Sequence, residues 1–183
     1  MTEFDPLENC SKYFKYIDFI ACGETHARTQ LINMPKDIRT IEAIQEIALT
    51  ILDPVIEQFG KIKLTYGFCS NDLLKQIKKH PKPGVAPQLD QHSGYELNSR
   101  NTPICKRAGF ACDFYAVNID SLILAQWIVS NISFDRLYFY GKNRPIHISV
   151  GPENNCAITL LEQSPTDRRI PKNIKKEPFL QRS

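Results

Sequence analysis

The sequence predicts an α+β fold in which an antiparallel sheet packs against helices from the N-terminal part of the chain. Apolar residues recur at helical spacing over residues 40–59, near the start of the chain. Strand-like alternating or continuous apolar stretches lie mostly further along, at residues 61–68, 109–117, 136–140, 146–150 and 157–161. Because helices and strands do not alternate regularly, they are expected to segregate into a helical layer and a sheet.

Residues 40–59 give the strongest helical pattern. Thr40 is the expected N-cap, and Gly60 is the expected end of the helix. Pro54 lacks a backbone N–H donor, so we expect it to kink the helix or split it near Asp53.

The connecting segments are assigned from their turn and cap residues. A short helix is predicted over residues 71–79, and the proline-rich residues 80–88 are predicted to form a loop. Residues 95–108 are expected to be an irregular insertion or a hairpin. A helix capped by Asp120 is predicted to continue to residue 130.

The composition is that of a globular protein of 183 residues, with 42% hydrophobic and 23% charged residues. Residues 1–163 are expected to form a single domain. The sequence has no apolar run of about 18 residues, so no membrane span is predicted. The acidic, polar N-terminus lacks the pattern of a signal peptide, and a cytoplasmic location is expected. The six cysteines form no Cys-x-x-Cys pair and are expected to be free thiols.

Positive charge is concentrated at the C-terminus. Residues 164–183 hold six basic and two acidic residues, a net charge of +4, so the total of +3 leaves −1 for the rest of the chain. We expect an extended basic tail. Such a tail could bind nucleic acid or an acidic protein partner, or it could simply be solvated.

Three residues in the second half of the chain are candidate metal ligands. His92 follows the proline-rich loop, Asp113 lies in a strongly apolar strand, and His147 alternates with apolar residues in the strand of residues 146–150. If the isoleucines of that strand face the core, His147 faces the opposite side of the sheet. Two imidazoles and a carboxylate are a ligand set of catalytic zinc. The alternative is that all three residues are structural, with hydrogen-bonded histidines and a salt-bridged acid.

The segment from residue 63 to 151 resembles the peptidase M15 group, which comprises zinc D-Ala-D-Ala carboxypeptidases and phage endolysins and is related in fold to the Hedgehog signalling domain. Residues 66–70 resemble the Ser-Gly-Tyr-Arg-Ser strand of that group. Residues 109–113 match its Gly-x-Ala-x-Asp pattern, and residues 146–150 match its final histidine strand. Residues 90–92 resemble its Ser-Gln-His. The resemblance implies an M15/Hedgehog-like fold, a Zn²⁺ ion held by His92, Asp113 and His147, and cleavage of an amide-type bond by metal-activated water.

The chain departs from the M15 pattern at three functional positions. Lys106 stands where the group has its first histidine, so His92 can serve only if residues 93–108 are an insertion. Arg144 stands at the position of the catalytic glutamate, and Cys69 at that of the arginine in the first motif.

Other residues are candidates for the missing roles. Glu96 lies four positions after His92, on the same face if that stretch is helical, and is the candidate general base. Arg107 and Arg144 are candidates to bind a carboxylate or phosphate of a small peptide or other anionic substrate. Cys105 is a candidate to complete the zinc site as a further ligand.

Two functional hypotheses follow. The first is an M15-like zinc metallohydrolase. The second is a catalytically divergent M15-like scaffold that binds nucleic acid or a protein partner.

Overall fold

The computed structural model describes residues 4–80, 86–161 and 170–183. The predicted α+β class is confirmed: a six-stranded sheet packs against helices. Within these residues the strands are β1 (Ile62–Tyr66), β2 (Phe110–Ala116), β3 (Arg136–Phe139), β4 (Ile146–Val150), β5 (Ala157–Leu160) and β6 (Lys172–Ile174). The helices are α1 (Tyr16–Ile20), α2 (Glu24–Thr29), α3 (Ile38–Ile47), α4 (Asp53–Phe59), α5 (Asn71–Ile77), α6 (Ser121–Asn131) and α7 (Lys176–Leu180).

The long N-terminal helical stretch begins three residues earlier than predicted. Asp37 is the N-cap of α3, and its carboxylate accepts the backbone N–H of Arg39 at 3.0 Å. The predicted cap, Thr40, is buried instead, and its hydroxyl accepts the backbone N–H of Tyr95 at 3.0 Å. Near Asp53 the helix changes type without ending: a π-helical segment (Ala48–Leu52) lies between α3 and α4, which places Pro54 in the first turn of α4.

The strand order is β1-β2-β4-β3-β5-β6, and all neighbouring strands are antiparallel except β3 and β5. The prediction of an antiparallel sheet is therefore wrong at this one pair. The chain turns back after β4, passes β3 and adds β5 on the far side of β3. Because both β3 and β5 then run opposite to β4, they run in the same direction.

One face of the sheet carries the hydrophobic core. Phe110, Cys112 and Phe114 of β2 and the apolar residues of β4 belong to it. Helices α3 and α6 both contact this face. The helical layer is therefore not purely N-terminal: α6 joins β2 to β3, two strands of the same direction that require a crossover.

The C-terminal segment is not an extended tail over the residues that the structure describes there. Strand β6 pairs with β5, and α7 places Phe179 fully inside the core. The side chain of Gln126 in α6 donates to the carbonyls of Phe179, Leu180 and Arg182 at 3.0–3.2 Å. An apolar anchor and three hydrogen bonds thus attach the basic end to the body. The predicted tail residues 164–169 lie outside the described residues.

All six cysteines are unpaired, and all except Cys156 are buried. In the ranges given above, no helix is both long enough and apolar enough to span a bilayer.

Candidate metal centre

A row of polar and aromatic side chains crosses the face of the sheet opposite the core. Strand register pairs Asp113 with Tyr66 on one side and with His147 on the other, and His147 also pairs with Tyr138. Tyr138 in turn pairs with Thr159. The predicted alternation of β4 is confirmed, because Ile146, Ile148 and Val150 join the core and His147 does not.

A turn rather than a helix presents His92 to this row. The ring is buried, and Nδ1 lies 3.0 Å from both the carbonyl of Gly67 and the carbonyl of Ala111. Carbonyl oxygens only accept hydrogen bonds, so Nδ1 carries the proton and donates. In the neutral ring, the lone pair is then on Nε2, which lies 3.4 Å from Oδ1 of Asp113.

His147 is fully buried and has the same tautomer. Its Nδ1 lies 2.8 Å from Oδ1 of Asp113, to which it donates, so Nε2 carries the lone pair of the neutral ring. The ring stacks on Tyr138, with centroids 4.5 Å apart and an angle of 15° between the planes. Asp113 and Tyr138 together fix the orientation of this imidazole.

Asp90, His92 and His147 form a group, called the metal group below, that could hold a metal ion. One potential ligand atom from each of Asp90, His92 and His147 lies within 4.8 Å of the others. Oδ1 of Asp90 and Nε2 of both histidines are buried and lack a hydrogen-bond partner. Such atoms are rare in folded proteins, and a bound ion is one explanation for them. Asp90 was not among the ligands predicted from the sequence, although its position two residues before His92 was a signal for it.

The charges of this group are strongly coupled. Burial raises the pKa of Asp90, and the two histidines partly oppose this effect. Burial would also raise the pKa of Asp113, but His92 and His147 hold it well below its usual value. Burial would lower the pKa of His92, yet Asp90 and Asp113 raise it to about 9. Metal binding at Nε2 of His92 must therefore displace a proton whose binding is favoured by the carboxylates of Asp90 and Asp113.

Asp90 lines a cleft of about 680 Å³, large enough for a small ligand, whereas the buried His92 and His147 are not among the residues that line it. Asp90 and Asp113 line it, together with the arginines Arg107, Arg136 and Arg144. The cleft thus combines two carboxylates, one of them in the group that could hold a metal ion, with three cations.

The two arginines predicted from the sequence have different surroundings. Nη1 of Arg107 donates to the carbonyl of Leu89 at 2.8 Å and to the hydroxyl of Tyr138 at 2.7 Å. It therefore connects the segment that bears Asp90 to the ring that stacks on His147. Arg144 is exposed, and its side chain has no hydrogen bond or ion pair within the described ranges.

Glu96, the candidate general base, lies apart from the metal group. It is 6% exposed, and its Oε1 accepts the backbone N–H groups of Lys36 at 2.9 Å and Asp37 at 3.0 Å. It is not among the described residues that line the cleft. The helix that would have placed it beside His92 is a turn, so the two side chains do not share a face. Cys105 is buried and is not part of the metal group found among the described residues.

Comparisons with protein-family models, with curated proteins and with solved structures found no match to this chain.

Proposed function

We propose that the protein is a zinc-dependent hydrolase that cleaves an amide-type bond in an anionic substrate. The observation that carries this proposal is the convergence of three buried atoms without hydrogen-bond partners, Oδ1 of Asp90 and Nε2 of His92 and His147. Two imidazoles and one carboxylate, with a position left open, form a ligand set of catalytic zinc.

In this proposal Asp113 supports the metal site through His147. A carboxylate that accepts the second ring N–H of a histidine ligand fixes its tautomer and raises its basicity. The contact of 2.8 Å between Asp113 and His147 has this form. His92 has the equivalent support from two backbone carbonyls.

An M15/Hedgehog-like fold is part of the same proposal. Its support is the position of two of the motifs that resemble the M15 group: the Gly-x-Ala-x-Asp segment leads into β2, and the final histidine strand forms β4, its direct neighbour.

When bound, zinc would supply a Lewis acid that activates water and polarises the substrate carbonyl. The chain contributes the orientation of both imidazoles, and the cleft contributes cations for an anionic group of the substrate. Arg144 is the better placed of the two predicted arginines for that role, because Arg107 already bonds to Leu89 and Tyr138.

A second candidate is a catalytically divergent M15-like scaffold that binds nucleic acid or a protein partner without hydrolysis. One observation favours it: Asp90 and Asp113 are both engaged at the metal group, and Glu96 bonds to the backbone, so the described cleft offers no further carboxylate as a general base. The exposed Lys172, Lys175 and Lys176 would then suit nucleic acid or an acidic protein.

Elemental mass spectrometry of the purified, untagged protein tests the proposal. We expect about one zinc per chain, and loss of the metal in His147→Ala but not in the control His26→Ala. Absence of metal from folded wild-type protein would refute the hydrolase and leave the scaffold. Zinc-loaded protein that cleaves no member of a peptide library, but binds DNA or RNA in a strongly salt-dependent way, would select the scaffold.

A further inference from the structure

The arginines of the cleft lie on both sides of the metal group. Arg136 is the first residue of β3, two positions before Tyr138, whereas Arg144 precedes β4 by two positions and His147 by three. With a rise of ~3.3 Å per strand residue, Arg136 lies about 7 Å to one side of the row formed by Tyr138 and His147. Arg144 lies at most about 10 Å to the other side. A ligand centred on the metal group would therefore meet a guanidinium group in each direction.

Both of these arginines retain free hydrogen-bonding capacity. The Nε of Arg136 lies 3.5 Å from Oδ2 of Asp135, yet it is buried and makes no hydrogen bond. That carboxylate is already engaged, since Oδ2 accepts the side chain of Gln91 at 3.1 Å and Oδ1 accepts the side chain of Asn155 at 2.8 Å. Arg144 has no side-chain partner within the described ranges. Guanidinium groups with free donors suit carboxylates, which they bind through paired hydrogen bonds.

The net charge that the site would have with a metal bound also favours an acidic ligand. With a divalent metal bound, the three guanidinium groups and the metal would be opposed by three carboxylates: Asp90 and Asp113 line the cleft, and Asp135 lies 3.5 Å from Nε of Arg136. With the metal bound, the site would therefore carry two uncompensated positive charges. A ligand with two anionic groups, one on each side of the metal group, would neutralise them.

We infer that the cleft takes a peptide-like amide that carries an acidic group on each side of the bond facing the metal group, one for Arg136 and one for Arg144. The inference rests on the proposed function and names its substrate class. Leu89, Pro145, Leu161 and Pro171 also line the cleft, and they suit the apolar parts of a peptide.

Four blocked peptides test this inference: Ac-Glu-Ala-Ala-Glu-NH2, its double-Gln analogue and the two single-Glu forms. Dissociation constants are measured by calorimetry on zinc-loaded protein at low salt. We expect the double-Glu peptide to bind more tightly than the double-Gln peptide, with each acid contributing roughly tenfold. Arg136→Gln should remove the preference for one glutamate and Arg144→Gln the preference for the other, whereas Arg28→Gln, outside the cleft, should change neither.

Three results would overturn the inference: equal affinity for Glu and Gln peptides, cleft variants that behave like Arg28→Gln, or tighter binding of a single-stranded oligonucleotide of equal charge. Zinc content is measured on the same samples. If zinc is bound but no charge preference is found, the substrate class fails alone. If no zinc is bound, the proposed function itself fails.

Discussion

The two carboxylates at the metal group should differ in their effect on zinc affinity when each is replaced by asparagine. Asp113 bonds to Nδ1 of His147 at 2.8 Å, so Asp113→Asn removes support of a ligand rather than a ligand. Loss of such support costs about 10- to 100-fold in metal affinity, or about 1.4–2.8 kcal/mol. Oδ1 of Asp90 has no other partner and is a ligand in our proposal, so Asp90→Asn should cost at least roughly 100-fold.

Competition with a chromogenic zinc chelator gives the two affinities, and thermal unfolding of the metal-free variants shows that each is folded. The His26→Ala variant leaves the metal group intact and provides the matched control. The reasoning is refuted if Asp113→Asn loses zinc as completely as His147→Ala while Asp90→Asn keeps wild-type affinity. That outcome would restore the ligand set predicted from the sequence, with Asp113 as the third ligand.

Three further predictions concern positioning, pH and the C-terminal anchor. Arg107→Ala should weaken zinc binding several-fold, because it releases both Leu89 and Tyr138; an effect no larger than that of Arg28→Ala in the same chelator assay would contradict this role. Metal-free protein should lose stability as the pH rises, because the pKa of His92 is raised from 6.5 to about 9 in the folded state. The stabilisation that protonated His92 provides is complete below its unfolded pKa and is lost as the pH rises through about 9. The loss is on the order of 3 kcal/mol. Chemical unfolding across this pH range measures the loss, zinc-loaded protein is the comparison, and a flat profile for metal-free protein would count against the coupling. Phe179→Ala should destabilise the fold by about 3–5 kcal/mol in urea unfolding, whereas Ile170→Ala at an exposed position should have little effect; similar values for the two would mean that α7 does not anchor the chain.

Much of the fold was predictable because local patterns carry it. The amphipathic spacing around Ile44 and Ile51 fixes the buried face of the helical stretch, and the alternation in β4 fixes which side His147 faces. Asp120 caps α6 as predicted, accepting the backbone N–H of Leu122 at 2.7 Å. The parallel pairing of β3 with β5 was not predictable in this way, since strand order depends on contacts between distant segments rather than on local spacing.

The metal group shows the same division. The sequence indicated His92, Asp113 and His147 as candidates, and the structure brings these three side chains together. It did not indicate which carboxylate oxygen is left without a hydrogen-bond partner. Glu96 was predicted to lie beside His92, and the structure does not place it there. The spacing of the two residues would bring them together on a helix, but the backbone there forms a turn. The carboxylate of Glu96 instead accepts backbone N–H groups at the start of α3.

The sequence by itself determined the α+β class, the main helical and strand segments, and the residue types available for metal chemistry, because periodicity and residue type act over short distances. Only the tertiary structure decided that Asp90 joins the two histidines, that Arg107 bonds within the protein, and that the basic end packs through Phe179. Each of these depends on side chains brought together from separate segments, and on which buried polar atoms remain without a partner after packing.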